Sequence, residues 1–208
     1  MKNKVFLGLI LTLSIMMLFV TFSAAEAKMG GVLKVVLDAD PPTLDPHTST
    51  TTLVFVVGYH MFEGLYSLDE NLNPVPMLAA DLPEISDDKL VYTIKLRPGL
   101  KFHNGQAVTA EDAVASVKRW GKMSSYGKSI FKNVESIEAK DTLTLELKLT
   151  KPTGVTLVSL AMPNGGAFIY PKDICEKYPD KPVEENIGTG PFKFVEWKPH
   201  QYIKMVLL

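Results

Sequence analysis

Two stretches of this chain alternate apolar and polar residues with a period of two. In residues 89–97, Leu90, Tyr92, Ile94 and Leu96 fall on one face, with Val91, Thr93, Lys95 and Arg97 on the other. In residues 142–150, Leu143, Leu145, Leu147 and Leu149 alternate with Thr144, Glu146, Lys148 and Thr150. Both predict strands with one dry face. The second pairs with 134–139 around Lys140-Asp141. Pro98-Gly99 fits a type II turn, with proline presetting φ and glycine taking a positive φ. Leu100–His103 then reads as a short return strand, and Asn104-Gly105 as a further turn.

Period 3.6 appears elsewhere. Thr109 reads as an N-cap, with Glu111 and Asp112 at the second and third helical positions, where acids complement the helix dipole. The capping box is imperfect, because its third position is Asp rather than Glu. Ala113, Val114, Val117 and Trp120 form the apolar stripe, with Lys118 and Arg119 near the end. Residues 53–63 predict a helix stopped by Gly64 as the residue after its cap. Pro76–Asp81 fits a single helical turn and 154–163 a short helix. Strands are predicted at Val32–Leu37, Phe192–Trp197 and Tyr202–Leu207. The order β, α, ββ, α, ββ, α, ββ argues a mixed fold with mainly antiparallel pieces, α/β or α+β.

The first residues follow another rule. Lys2 and Lys4 precede an apolar run from Val5 to Phe22, followed by Ser23, Ala24, Ala25 and Ala27. Residues 1–27 read as a secretory signal peptide, cleaved after Ala25 or Ala27. The competing reading is an uncleaved membrane anchor. No cysteine lies near enough to carry a lipid.

Composition adds little chemistry. The 208 residues are 46% hydrophobic and 22% charged, an ordinary globular balance. Lys and Arg number 22 against 23 Asp and Glu, so no basic excess marks a nucleic-acid surface. The single Cys175 has no partner for an internal disulfide and reads as a small buried apolar residue. His47, His60, His103 and His200 are scattered, without the tight spacing of a metal site. No nucleophile-elbow, Walker or dinucleotide motif occurs, and "GTGPF" at 188–192 is a weak phosphate loop. Glu111 and Asp112 are accounted for by the helix start. We read no catalytic residue, no metal site and no cofactor, and take His103 as a structural histidine.

Four motifs in order carry a family likeness: "PPTLDPHTS" with "YHMFEGLYSLDENLNPVPMLAADL", then "SDDKLVYTIKLRPGLKFHNGQAVTAEDAVASVKRW", then "DTLTLELKLTKPT", then "GTGPFKFVEWKP". Over nearly all of residues 30–206 the chain resembles the extracellular solute-binding proteins of the dipeptide, oligopeptide and nickel class, the receptor subunits of ABC importers. Leu82 departs from the family by standing where a Trp is common. "MVLL" closes the chain where an Arg-Asn-containing segment usually follows.

The resemblance implies the N-terminal part of a two-lobed fold, periplasmic-binding-protein type II-like, that closes about a hinge. Residues 28–60 and 186–208 would supply part of the first lobe and 61–185 its extra subdomain (α+β), with the second lobe absent. It implies no enzyme. It implies a periplasmic receptor, monomeric at full length, that takes di- or oligopeptides and delivers them to inner-membrane permease subunits. Nickel chelates, glutathione or sugars are alternative ligands, and a truncated, non-binding product is another reading. Ligands of open sheets sit at the carboxyl ends of strands. That places Asp38, Asp40 and Thr43, with Thr189 and Gly190, at the cleft, unless these loops only shape turns. An alternative of a different kind is a secreted metal-dependent hydrolase using His103, Glu111 and His47.

Overall fold

The alternating leucines do form one sheet. The computed structural model describes residues 30–208. In it, β1 (Tyr66–Leu68) and β2 (Pro74–Pro76) make a small hairpin, and β3 (Glu84–Ile85), β4 (Val91–Lys95), β5 (Val134–Ala139) and β6 (Thr144–Leu149) make a sheet of order β3-β4-β6-β5. Every pairing is antiparallel. The register sets Ile94 opposite Leu145 and Tyr92 opposite Leu147, so the large residues of neighbouring strands share one face.

That face is covered by α2 (Ala110–Met123), whose Ala113, Val117 and Trp120 are buried. The Thr109 cap is as expected, and the capping box is complete despite its Asp. Thr109 Oγ1 accepts from the Asp112 N–H, and the Asp112 carboxylate accepts from the Thr109 N–H at 2.8 Å. Trp120 Nε1 donates to the Gly165 carbonyl at 2.6 Å, so the largest core side chain is also satisfied. α3 (Ser125–Phe131), which the pattern does not announce, packs back on α2. α4 (Thr156–Ala161) matches the short helix expected at 154–163.

A second core forms around α1 (Thr52–Met61). It gathers Leu44, Phe55, Met61, Phe62, Phe168, Tyr170, Cys175 and Tyr178. α5 (Lys172–Lys177), also unannounced, contributes Ile174 and Cys175. The last hairpin, β7 (Phe192–Lys198) with β8 (Tyr202–Leu207), lays Phe194, Trp197, Ile203 and Met205 against this core. Its other face, with Val195 and Val206, is exposed.

Several expectations fail for local reasons. Residues 30–36 are irregular and exposed, so the strand expected at Val32–Leu37 is absent: no described strand pairs with it, and an unpaired strand leaves its backbone without partners. α1 stops at Met61, with Phe62 extended, before it reaches Gly64. Gly64 bridges Phe168 instead, and a Cβ there would stand 3.1 Å from the Tyr66 carbonyl, so it serves a close backbone approach. The helical turn at Pro76–Asp81 is displaced by β2, because Val75 pairs with Ser67. The return strand at Leu100–His103 shrinks to one bridge, Lys101 with Ala107, since the Asn104-Gly105 turn closes at once. The turns themselves are right: Gly99 and Gly105 have φ of 78° and 87°. The signal-peptide reading of residues 1–27 lies outside the described residues. Among those described, no helix is long and apolar enough to cross a membrane.

Candidate functional site

The segment 37–48 is anchored from below. Asp45 is fully buried and forms an ion pair with buried Arg119 of α2, at 2.5 Å. Its carboxylate also accepts from the His47 and Val183 backbone N–H groups and the Tyr170 hydroxyl. Arg119 in turn donates to the carbonyls of Tyr178 and Lys181 and to His47 Nδ1. Burial alone would raise the Asp45 pKa, but the hydrogen bond and positive charge of Arg119 hold it below the ordinary carboxylate value. His47 is driven the other way: burial, the largest influence, pushes its pKa down to about 3, so it is the neutral acceptor of the Arg119 donor.

Above this anchor the expected site residues part company. Asp38 is exposed. The Asp40 carboxylate accepts from the His200 backbone N–H and lies 3.0 Å from His200 Nδ1. His200 occupies the turn between β7 and β8 with φ of 61°, so Asp40 stabilises an unusual turn residue. Thr43 Oγ1 accepts from the Asp45 N–H at 3.1 Å. Thr189 and Gly190 sit before the opposite end of β7, whose seven residues separate them from the His200 turn by roughly 23 Å. The five residues therefore fall in two places, one at each end of the β7–β8 ribbon.

The loop at 188–190 is tightly held. The Gly190 N–H donates to the Met61 carbonyl at 2.9 Å. A Cβ on Gly188 would stand 2.0 Å from that carbonyl, and one on Gly190 would stand 2.6 Å from the His60 carbonyl. Both glycines are required by close packing on the end of α1. Between them, Thr189 Oγ1 is buried with no hydrogen-bond partner, as is Asn186 Oδ1 nearby. Such atoms are rare in folded proteins.

His103 closes the loop from the other side. The His103 N–H donates to the Gly188 carbonyl at 2.8 Å, and the Gly188 N–H donates back to Nδ1 at 3.3 Å. Nδ1 is thereby the acceptor, so Nε2 carries the proton and donates to the Gly190 carbonyl at 2.8 Å. Glu111 pairs with Lys172 at the surface, and His47 lies in the Asp45 network. Among the described residues no three His, Cys, Asp or Glu gather where a metal could bind, so the hydrolase alternative has no common site. Cys175 is buried as expected, and burial pushes its thiol up to about 11. The role of Arg119 escaped the sequence reading; a lone Arg amid an amphipathic helix gives no signal of burial.

Comparison with known proteins fixes the family. The model for bacterial extracellular solute-binding proteins, family 5, matches residues 73–207. The chain belongs to that family. A probable peptide ABC transporter periplasmic-binding protein of Sinorhizobium fredii is 35% identical over 72% of this chain and 28% of its own length. A glutathione-binding protein of Pectobacterium atrosepticum is 32% identical over 78% of the chain and 32% of its own length. Among solved structures, the periplasmic binding protein DppA of Helicobacter pylori, in complex with the peptide STSA, superposes with a TM-score of 0.70. It is 26% identical, and the match covers 82% of this chain and 38% of that one. The chain thus spans about a third of the length of these relatives, and its mixed helices and strands are those of the family fold. The family consists of binding proteins rather than enzymes.

Proposed function

We propose that this family 5 protein acts as the receptor of an ABC importer, capturing short peptides outside the inner membrane and delivering them to a permease. The observation that carries this reading is the likeness to proteins whose names state what they bind: a peptide transporter's binding protein, a glutathione-binding protein, and a periplasmic binding protein in complex with the peptide STSA. Residues 1–27 direct export, and the protein works in the periplasm as a monomer. Residues 28–60 and 186–208 belong to the ligand-binding lobe and 61–185 to its subdomain.

Within the site, the half-exposed side chain of Thr189 is what meets ligand; Asp38, exposed toward the other end of the β7–β8 ribbon, lies too far from it to share one tetrapeptide. Thr43 and Asp40 shape their loop, and Gly190, whose N–H and carbonyl are taken by Met61 and His103, holds the 188–190 loop in place. Calorimetric titration of the protein with the tetrapeptide Ser-Thr-Ser-Ala and with glutathione tests this. We expect saturable binding of at least one, weakened severalfold by Thr189→Ala. Binding of neither peptide, or an affinity indifferent to Thr189→Ala, overturns the assignment.

A further inference from the structure

The residues around His103 and those around Gly188 are 85 positions apart in sequence, yet three hydrogen bonds join them within one imidazole and its own backbone N–H. His103 is buried, and both ring nitrogens are occupied. It is not a ligand for anything else. On its far side the same loop is pressed on the end of α1 so closely that neither glycine tolerates a Cβ. The loop is therefore clamped between two supports, and Thr189 is the one side chain in it.

We infer that His103 is a positioning residue for ligand binding: it fixes the backbone of Gly188-Thr189-Gly190, and with it the half-exposed Thr189 side chain, in the geometry that receives ligand. The functional half of this inference rests on the reading above that Thr189 meets ligand. The mechanism is preorganisation. A loop already held in its bound shape loses less conformational freedom when ligand arrives, and the affinity is higher for it. It also links the subdomain that carries the Lys101–Ala107 turn to the loop that feeds β7.

The imidazole geometry supplies graded variants. His103→Phe keeps the ring and removes both polar contacts. His103→Asn returns an oxygen to the place of Nδ1, restoring the acceptor for Gly188. Amide hydrogen exchange, read residue by residue on the protein, should show Gly188 and Gly190 exchanging at least tenfold faster in His103→Phe, with Tyr92, Leu145 and Leu147 unchanged. In His103→Asn, Gly188 should return toward the wild-type rate. The tetrapeptide Ser-Thr-Ser-Ala should bind the Phe variant about tenfold more weakly and the Asn variant at an intermediate level. Exchange that stays the same at Gly188 and Gly190, or rises equally throughout the sheet, overturns the clamp. Faster local exchange with unchanged tetrapeptide affinity overturns the positioning role. If the wild-type protein binds no tetrapeptide, the peptide assignment falls with the positioning role, and the exchange rates alone decide whether the clamp is real.

Discussion

The two cores of this protein are built on opposite principles. The sheet core, from Leu65 to Ile169, is almost wholly apolar: Leu145, Leu147, Leu149 and Ile94 face Val117 and Trp120. The second core, around α1 and Tyr170, encloses the buried Asp45–Arg119 ion pair and the neutral His47 that accepts from Arg119. An apolar core is tolerant in composition and needs only the right volume and pattern. A buried ion pair is worth little relative to apolar replacements, but removing one partner strands a charge. The second core therefore trades tolerance for a fixed placement of the segment 37–48, the segment that carries Asp38.

The largest expected effect tests that contrast directly. Arg119→Ala removes five donors and leaves Asp45 ionised and buried, which should cost about 3–5 kcal/mol of stability in urea unfolding. Leu147→Ala, an ordinary cavity in the sheet, belongs in the range of about 2–5 kcal/mol. The discriminating observation is coupling. Adding Asp45→Asn should recover part of the Arg119→Ala loss, whereas no polar change in the second core should rescue Leu147→Ala. If the two arms behave alike, the network is not what holds the second core.

The next effect is a pH dependence confined to the same core. The folded His47 pKa, about 3, lies below its ordinary 6.5, so the unfolded chain takes up the proton first. Its contribution is present in full above 6.5 and is lost as pH falls toward 3. From about pH 7.5 to about pH 5 this amounts to about 2 kcal/mol. Asp45, whose folded pKa is lowered from 3.8, contributes above that value and loses its share only in stronger acid. His47→Asn keeps an acceptor for Arg119 but does not titrate, so its urea midpoint should fall less between those two pH values. Equal slopes in the two proteins would mean that His47 does not remain neutral.

The same contrast explains what could be read from sequence. The sheet core was legible because period two survives translation into structure: Tyr92, Ile94 and Leu96 are buried as their alternation requires. The Thr109 cap and the Gly99 and Gly105 turns were legible because their chemistry is local. Arg119 was not, since its partner lies 74 positions away and an exposed Arg at the same helical position would look identical. Nor was the His103 clamp, although KFHNG and GTGPF each stood out; what joins them is a backbone approach that pattern cannot show. The strand expected at 32–37 has β-type composition, but composition does not supply a neighbour. Of the candidate ligand residues, Asp38 and Asp40 looked equivalent in sequence, and the structure separates them through His200.

The smallest effect lies where the two cores share an element. α2 faces the sheet with Val117 and Trp120 and faces α5 and Tyr170 with Ser116 and Arg119. Its start is held by the Thr109–Asp112 box, and Asp112 Oδ1 also accepts from the Lys172 N–H at 2.8 Å, tying α2 to the first residue of α5. Thr109→Ala removes the capping hydroxyl but leaves the Asp112 carboxylate bound to both backbone N–H groups. The loss should be about 1 kcal/mol, the usual size of a cap, and Thr109→Ser should restore most of it. Asp112→Ala breaks both ends of the link and should cost more than Thr109→Ala in the same melts. If the order reverses, the cap alone holds α2, and the tie to α5 contributes nothing to the joint between the cores.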